Sequence, residues 1–261
     1  MSKVPKEYKF FDLSDYGRFP ARMIANSLKS TSITPVNITM LFVFAGISSV
    51  ILILNNQFIA ASIFIIIKSI LDAADGELAR IKQTPSYIGR YFDSVSDIIL
   101  NFCILASICY VNNSSWTLML VAFFAFQLQG TLYNYYYVIF RNKFNGDKTS
   151  RVFENEAPKA LPGEKQHNVN QWFKIYNFCY GWFDKAIYKM DKNASYDKHL
   201  PKWFMTLVSS FGLGFQLLII SFMLSIGWLK NIIPFFIFYS FFIIVFTTVR
   251  KTINFKKYRT F

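Results

Sequence analysis

Six long apolar runs, at residues 38–54, 57–79, 88–111, 116–140, 203–228 and 232–249, constrain this chain more than any other feature. Each approaches the roughly 20 residues that a helix needs to cross about 30 Å of hydrocarbon. A backbone inside lipid has to satisfy its own hydrogen bonds, which a helix does within a single segment. Hydrophobic residues are 53% of the 261 and are gathered into these runs, which argues for a membrane protein rather than a soluble core. The expected fold is therefore all-α and polytopic, with six transmembrane helices. Lys3 to Ser32 is polar and mixed, without the basic start and short apolar core of a cleavable signal peptide.

The net charge of +13 would suit nucleic acid, but its distribution follows a membrane topology instead. Lys3, Lys6, Lys9, Arg18, Arg22 and Lys29 precede the first run. Arg80, Lys82 and Arg90 lie between the second and third, twelve basic residues fall in the 141–202 connection, and Arg250, Lys251, Lys256, Lys257 and Arg259 close the chain. The turns at Asn55-Asn56 and Asn112–Ser115 carry none. Both termini and the 141–202 loop are expected in the cytoplasm, with the membrane taken to be the cell inner membrane.

Four carboxylates, Asp72, Asp75, Asp93 and Asp97, lie among these hydrophobic stretches. A charge costs roughly 2.5–3.5 kcal/mol at the centre of a membrane helix on insertion scales, so intramembrane carboxylates mark a site unless something else accounts for them. Positions three and four apart share a helix face. Asp72, Asp75, Gly76, Ala79 and Arg80 therefore form one stripe, and Gly89, Asp93 and Asp97 form another. Thr84-Pro85-Ser86 favours a chain reversal that lets the two stripes face each other. Oxygen donors without histidine or cysteine select magnesium, manganese or calcium, and four carboxylates suffice for two ions. Two ions about 3.5–4 Å apart suit displacement at phosphorus, and Arg80 adds a fork of donors for phosphate oxygens. Gly76, Ala79 and Gly89 leave space for a close approach. Asp97, the last carboxylate along its helix, is the natural general base. Two rivals are a structural network neutralised by Arg80, Arg90 and Lys68, and a cation transporter, which predicts carboxylates strung along a path through the membrane.

The full pattern, Asp72-x-x-Asp75-Gly76-x-x-Ala79-Arg80-(x)8-Gly89-x-x-x-Asp93-x-x-x-Asp97, resembles the signature of the CDP-alcohol phosphotransferases, eight fixed positions over 26 residues. The resemblance implies a single membrane-embedded transferase domain over 1–261 and transfer of a substituted phosphate from a CDP-linked donor to an alcohol, with release of CMP, in phospholipid biosynthesis. It implies that Asp72, Asp75, Asp93 and Asp97 hold two divalent ions, magnesium or manganese, and that Asp93 and Asp97 are catalytic, Asp97 as metal ligand or base. It further implies that Gly76, Ala79, Arg80 and Gly89 shape the CDP pocket, and that the protein pairs as a homodimer. The expected donor is CDP-diacylglycerol and the acceptor a small polar alcohol; the reverse arrangement takes CDP-choline or CDP-ethanolamine to diacylglycerol. Many members carry Pro-Asn-x-x-Thr where this chain has Pro35-Val36-Asn37-Ile38-Thr39, so Thr39 keeps its place toward the nucleotide while Asn37 is shifted.

The remaining features carry less. Residues 1–37 are expected to form a cytoplasmic interfacial segment, with Tyr16, Pro20, Met23, Ile24, Ser27 and Leu28 on the membrane face of an amphipathic helix and Arg18, Arg22, Asn26 and Lys29 opposite. Tyr133, Tyr135, Tyr136 and Tyr137 read as an interfacial aromatic belt rather than a choline cage. Glu77, off the stripe, is expected in solvent. Arg141, Lys143, Lys148 and Arg151 can meet a phosphorylated acceptor or lipid head groups. Within the long connection, Gln171 to Tyr188 is aromatic enough for a surface helix. Cys103, Cys109 and Cys179 read as packing residues, and His167 and His199 as solvated.

Overall fold

The structure, a computed structural model, describes residues 6–144, 154, 156–197 and 200–258. Every regular element among them is helical. In chain order they are α1 (Arg18–Leu28), α2 (Pro35–Leu54), α3 (Phe58–Lys82), α4 (Tyr87–Val111), α5 (Trp116–Lys143), α6 (Gln166–Met190), α7 (Ala194–Asp197), α8 (Lys202–Val208), α9 (Leu213–Ser225), α10 (Leu229–Tyr239) and α11 (Phe241–Tyr258). Short 3-10 turns cover Lys6–Tyr8, Leu13–Asp15 and Ser209–Phe211.

Among the described residues, four segments are long and apolar enough to cross a membrane: Pro35–Leu54, Tyr87–Val111, Trp116–Lys143 and Leu229–Ile253. Lys202–Phe211 with Leu213–Ser225 makes a fifth only as a span bent by 50°. The six crossings expected from the apolar runs thus become four or five. The bent pair accounts for one crossing of that difference and the second run for the other. α3 has the length, but Lys68, Asp72, Asp75, Glu77, Arg80 and Lys82 fall in the latter part of its 25 residues, and charge is expensive in hydrocarbon.

Local chemistry sets the helix ends around the carboxylates. α2 opens on a capping box: Asn37 N–H donates to Thr34 Oγ1 (3.4 Å), and Asn37 Oδ1 accepts from the Thr34 N–H (2.8 Å) and hydroxyl (2.6 Å). The shifted asparagine is thereby committed to its own helix start. α3 stops where Gln83 turns left-handed (φ 54°) and Thr84 N–H donates to Ala79 O at 3.0 Å. Ser86 then caps α4 by accepting from Gly89 N–H at 2.8 Å. Glu164, just before α6, tightens that corner, since its Oε1 accepts from the Ser86 hydroxyl (2.7 Å) and from Ile88 N–H (2.9 Å).

Packing does not follow the hairpin that the reversal suggests. α2 packs against both α3 and α4, whereas α3 takes α1 and α9 as its other neighbours and α4 takes α6 and α5. The backbones of α3 and α4 make little direct contact, and their acidic faces meet through side chains across a region termed the hollow. Away from it, Ile65, Ile104, Phe126, Ile220 and Phe236 close a dry core, while Phe44, Ile59, Phe222 and Phe238 point outward toward lipid.

The N-terminal segment is docked on the bundle. α1 buries Ala21 and Ala25 against Ala74 and Leu78 of α3. Its outward apolar residues are Phe19 and Met23. The membrane face expected from the sequence is thus split, with Met23 and Ser27 exposed and Ile24 and Leu28 turned against the protein. Upstream, Leu13 N–H donates to Ser209 Oγ (2.9 Å), and Ser14 lies against the start of α9 so closely that a Cβ on Gly214 would fall 2.0 Å from the Ser14 carbonyl oxygen. Only glycine admits that approach.

The tyrosine row at the end of α5 is not a belt. Tyr135, Tyr136 and Tyr137 are buried, because α6 to α8 and α11 cover this end of α5. The Tyr136 hydroxyl donates to Asp191 Oδ2 (2.7 Å) and the Tyr135 hydroxyl to Asp191 O (2.9 Å), while Arg250 pairs with the same carboxylate. Tyr133 donates to Asp12. The surface helix foreseen within 171–188 exists as α6, longer than expected and packed along α4 and α5. Cys109 is a buried packing residue and His167 is exposed, as expected; His199, Lys148 and Arg151 lie outside the described residues.

Candidate active site

Helical spacing brings three of the four aspartates to one point. Asp72 and Asp75, one turn apart on α3, and Asp93 on α4 each offer a carboxylate oxygen, and these oxygens lie within 4.8 Å of one another. Asp93 Oδ1 is buried and has no hydrogen-bond partner. An orphaned carboxylate oxygen facing two more carboxylates is costly unless a cation completes it. All-oxygen donors of this kind fit a hard divalent ion. Asp75 is further held by Thr39 of α2, whose hydroxyl donates to Asp75 Oδ2 at 2.7 Å. Thr39, expected at the nucleotide, is thus an orienting partner of a carboxylate.

Asp97 lies one turn beyond Asp93 and outside the three-carboxylate set. Its Oδ1 is bound by the ammonium of Lys68, a fully buried side chain one turn before Asp72 on the same stripe of α3. Lys68 Nζ also stands 5.2 Å from the centre of the Phe42 ring. The charge-neutralising role that the rival structural reading gave to three bases thus falls to Lys68 alone, and only at Asp97.

Above the carboxylates, toward the end of α3, is a rim of arginines gathered on Glu77. Glu77 is 6% exposed, and its Oε1 lies 3.2 Å from Arg80, 3.7 Å from Arg22 and 3.8 Å from Arg18. The sequence reading of a solvated Glu77 is corrected: α1 covers it and supplies two of its three partners. Burial alone would lower the Arg18 pKa, but the neighbouring Asp15, Tyr137 and Glu77 outweigh it and the net shift is upward. Arg80 keeps a buried Nε–H without a partner, a donor available to an anion.

The small residues border open space rather than a helix contact. A Cβ on Gly76 would meet only the Arg80 guanidinium within 4 Å, at 3.5 Å from its nearest nitrogen. On Gly89 it would press on Ser86 Oγ at 3.2 Å, the atom that caps α4. Ala79 is half-buried on the same stripe. Arg90 turns away from the aspartates, pairing with Glu154 at 2.7 Å and lying over the rings of Tyr91 and Tyr87. Arg141, expected in the loop, is buried in α5 beside Tyr137.

Two contributors escaped the sequence reading as parts of the site. Lys68 has the stripe spacing, four residues before Asp72, and that was the available signal. Tyr180 of α6 had none. Its hydroxyl donates to Ser94 O at 2.9 Å, and burial together with the nearby Asp97 pushes its pKa well up, so it closes the hollow as a neutral donor.

Residues 32–153, which hold α2 to α5 and all four aspartates, match the model of the CDP-alcohol phosphatidyltransferase family. Over 139 residues the chain is 32% identical to the bifunctional IPC transferase and DIPP synthase of Thermococcus kodakarensis. The match covers 52% of this chain and 31% of that protein, so the chain spans about a third of the length of its relative.

Proposed function

We propose, starting from the match of residues 32–153 to the CDP-alcohol phosphatidyltransferase family model, that the protein moves a substituted phosphate from a CDP-linked donor to an alcohol hydroxyl and releases CMP. The observation that carries the reading is the convergence of Asp72, Asp75 and Asp93 around an orphaned carboxylate oxygen, beside an arginine with a spare donor. When bound there, a divalent ion, magnesium by choice of donors, neutralises the diphosphate and the leaving oxygen.

The side chains divide the remaining work. Asp72, Asp75 and Asp93 hold the ion, with Thr39 orienting Asp75. Arg80, steadied by Glu77, grips phosphate oxygens, and the missing side chain at Gly76 leaves room for the nucleotide diphosphate next to that guanidinium. Asp97, anchored by Lys68, accepts the proton of the attacking alcohol.

CDP-diacylglycerol is the favoured donor, with a small polar alcohol as acceptor, and the hollow opens to the cytoplasm. A choline substrate would call for an aromatic cage, and the rings of Tyr135, Tyr136 and Tyr137 are buried in the protein core instead. The similarity to the IPC transferase and DIPP synthase supports an enzyme that works on phosphate esters of alcohols. The test is CMP release by purified protein given CDP-diacylglycerol or CDP-choline against a panel of alcohols, with and without magnesium. Magnesium-dependent CMP release from one donor and acceptor pair is the expected result; ion uptake into vesicles with no CMP from any donor would overturn the reading.

A further inference from the structure

We propose that Lys68 is a positioning residue for Asp97 and supplies the second cation of the hollow. Its ammonium takes the place beside Asp97 that a second divalent ion would need, and a single divalent ion is held among Asp72, Asp75 and Asp93. The inference rests on the reading of the hollow as a divalent-metal site.

Three observations carry it. The carboxylate oxygens that converge within 4.8 Å come from Asp72, Asp75 and Asp93, and Asp97 is outside that set. Lys68 is 0% exposed, with its Nζ on Asp97 Oδ1 and the Phe42 ring at 5.2 Å on another side, so it has no aqueous direction in which to withdraw. A fully buried carboxylate oxygen without a partner belongs to Asp93, a member of the three-carboxylate set. A divalent ion brought to the other oxygen of Asp97 would stand next to a buried ammonium, and repulsion between like charges is strong where the dielectric is low. The ammonium therefore excludes a second ion while keeping Asp97 aimed into the hollow. Arg80 does not share this task, because its guanidinium is turned to Glu77.

Counting bound manganese on the full-length protein in detergent tests the proposal directly, with electron paramagnetic resonance as the readout and no dependence on turnover. The wild type is expected to saturate at one ion per chain, with the spectrum of an isolated ion. Lys68→Met removes the ammonium and is expected to admit a second ion, coupled to the first, whereas Lys68→Arg keeps the count at one. Two coupled ions in the wild type would overturn the proposal and leave the proposed transferase reading intact. A folded Lys68→Met protein that still holds one ion would overturn it as well. No bound ion at all would overturn it together with the metal site itself. Should Lys68→Met fail to fold, the wild-type count decides.

Discussion

Asp93 is the side chain on which the carboxylate set closes, since it meets Asp72 and Asp75 from the other helix and keeps a buried oxygen without a partner. Asp93→Asn keeps the shape and removes the charge. CMP release should fall at least about 100-fold, the scale on which a metal ligand stabilises developing charge, as followed by nucleotide assay at saturating magnesium. Gly76 gives a prediction with opposite signs. Alanine there relieves glycine's helix penalty by about 0.5–1 kcal/mol and touches nothing but the end of Arg80. Gly76→Ala should melt slightly higher in detergent while its KM for the CDP donor rises; a lower melting temperature would mean that the glycine serves packing. The aspartate spacing was legible because a helix repeats every three to four residues, whichever neighbours it acquires. Glu77 and the tyrosines were not legible, because their surroundings come from α1 and α11, remote in sequence.

At the level of elements, α1 is bound to α3 through small buried alanines and through the arginines on Glu77. Glu77→Gln should cost about 1–3 kcal/mol, the penalty of leaving buried polar partners unmatched, because three arginines lose their ion-pair partner, and should speed proteolysis near Thr31 at the end of α1. α6 carries a different sensitivity. Burial pushes the Asp184 carboxyl up to about 7, with Glu154 adding like charge. The folded protein thus retains a proton that the unfolded chain releases near pH 4. The resulting stabilisation is complete below that value and is lost as pH rises through about 7, about 3–4 kcal/mol in all. Thermal midpoints measured between pH 5 and pH 8 should fall along that range, and Asp184→Asn should flatten the decline. The turn at Thr84–Ser86 and the helix within 171–188 were readable from Pro85 and from aromatic density. The wedge of α2 between α3 and α4 was not, because an apolar run of this kind says that a helix is buried and not beside what.

For the whole molecule, hydropathy announced the class of fold, while length and composition support four or five crossings among the described residues where six apolar runs were counted. A helix whose first ten residues hold nine apolar ones and whose remainder holds six charges scores as a span by its first part and builds a site with its second. Where α3 and α4 stand apart, the ion pair of Lys68 and Asp97 reaches from one to the other. Such a seam yields first on warming, as a dry joint does in masonry, and whatever is seated in it acts as mortar. Magnesium with CMP should therefore stiffen the molecule out of proportion to the few atoms it touches, slowing amide exchange along the facing turns of both helices and raising the temperature at which they part.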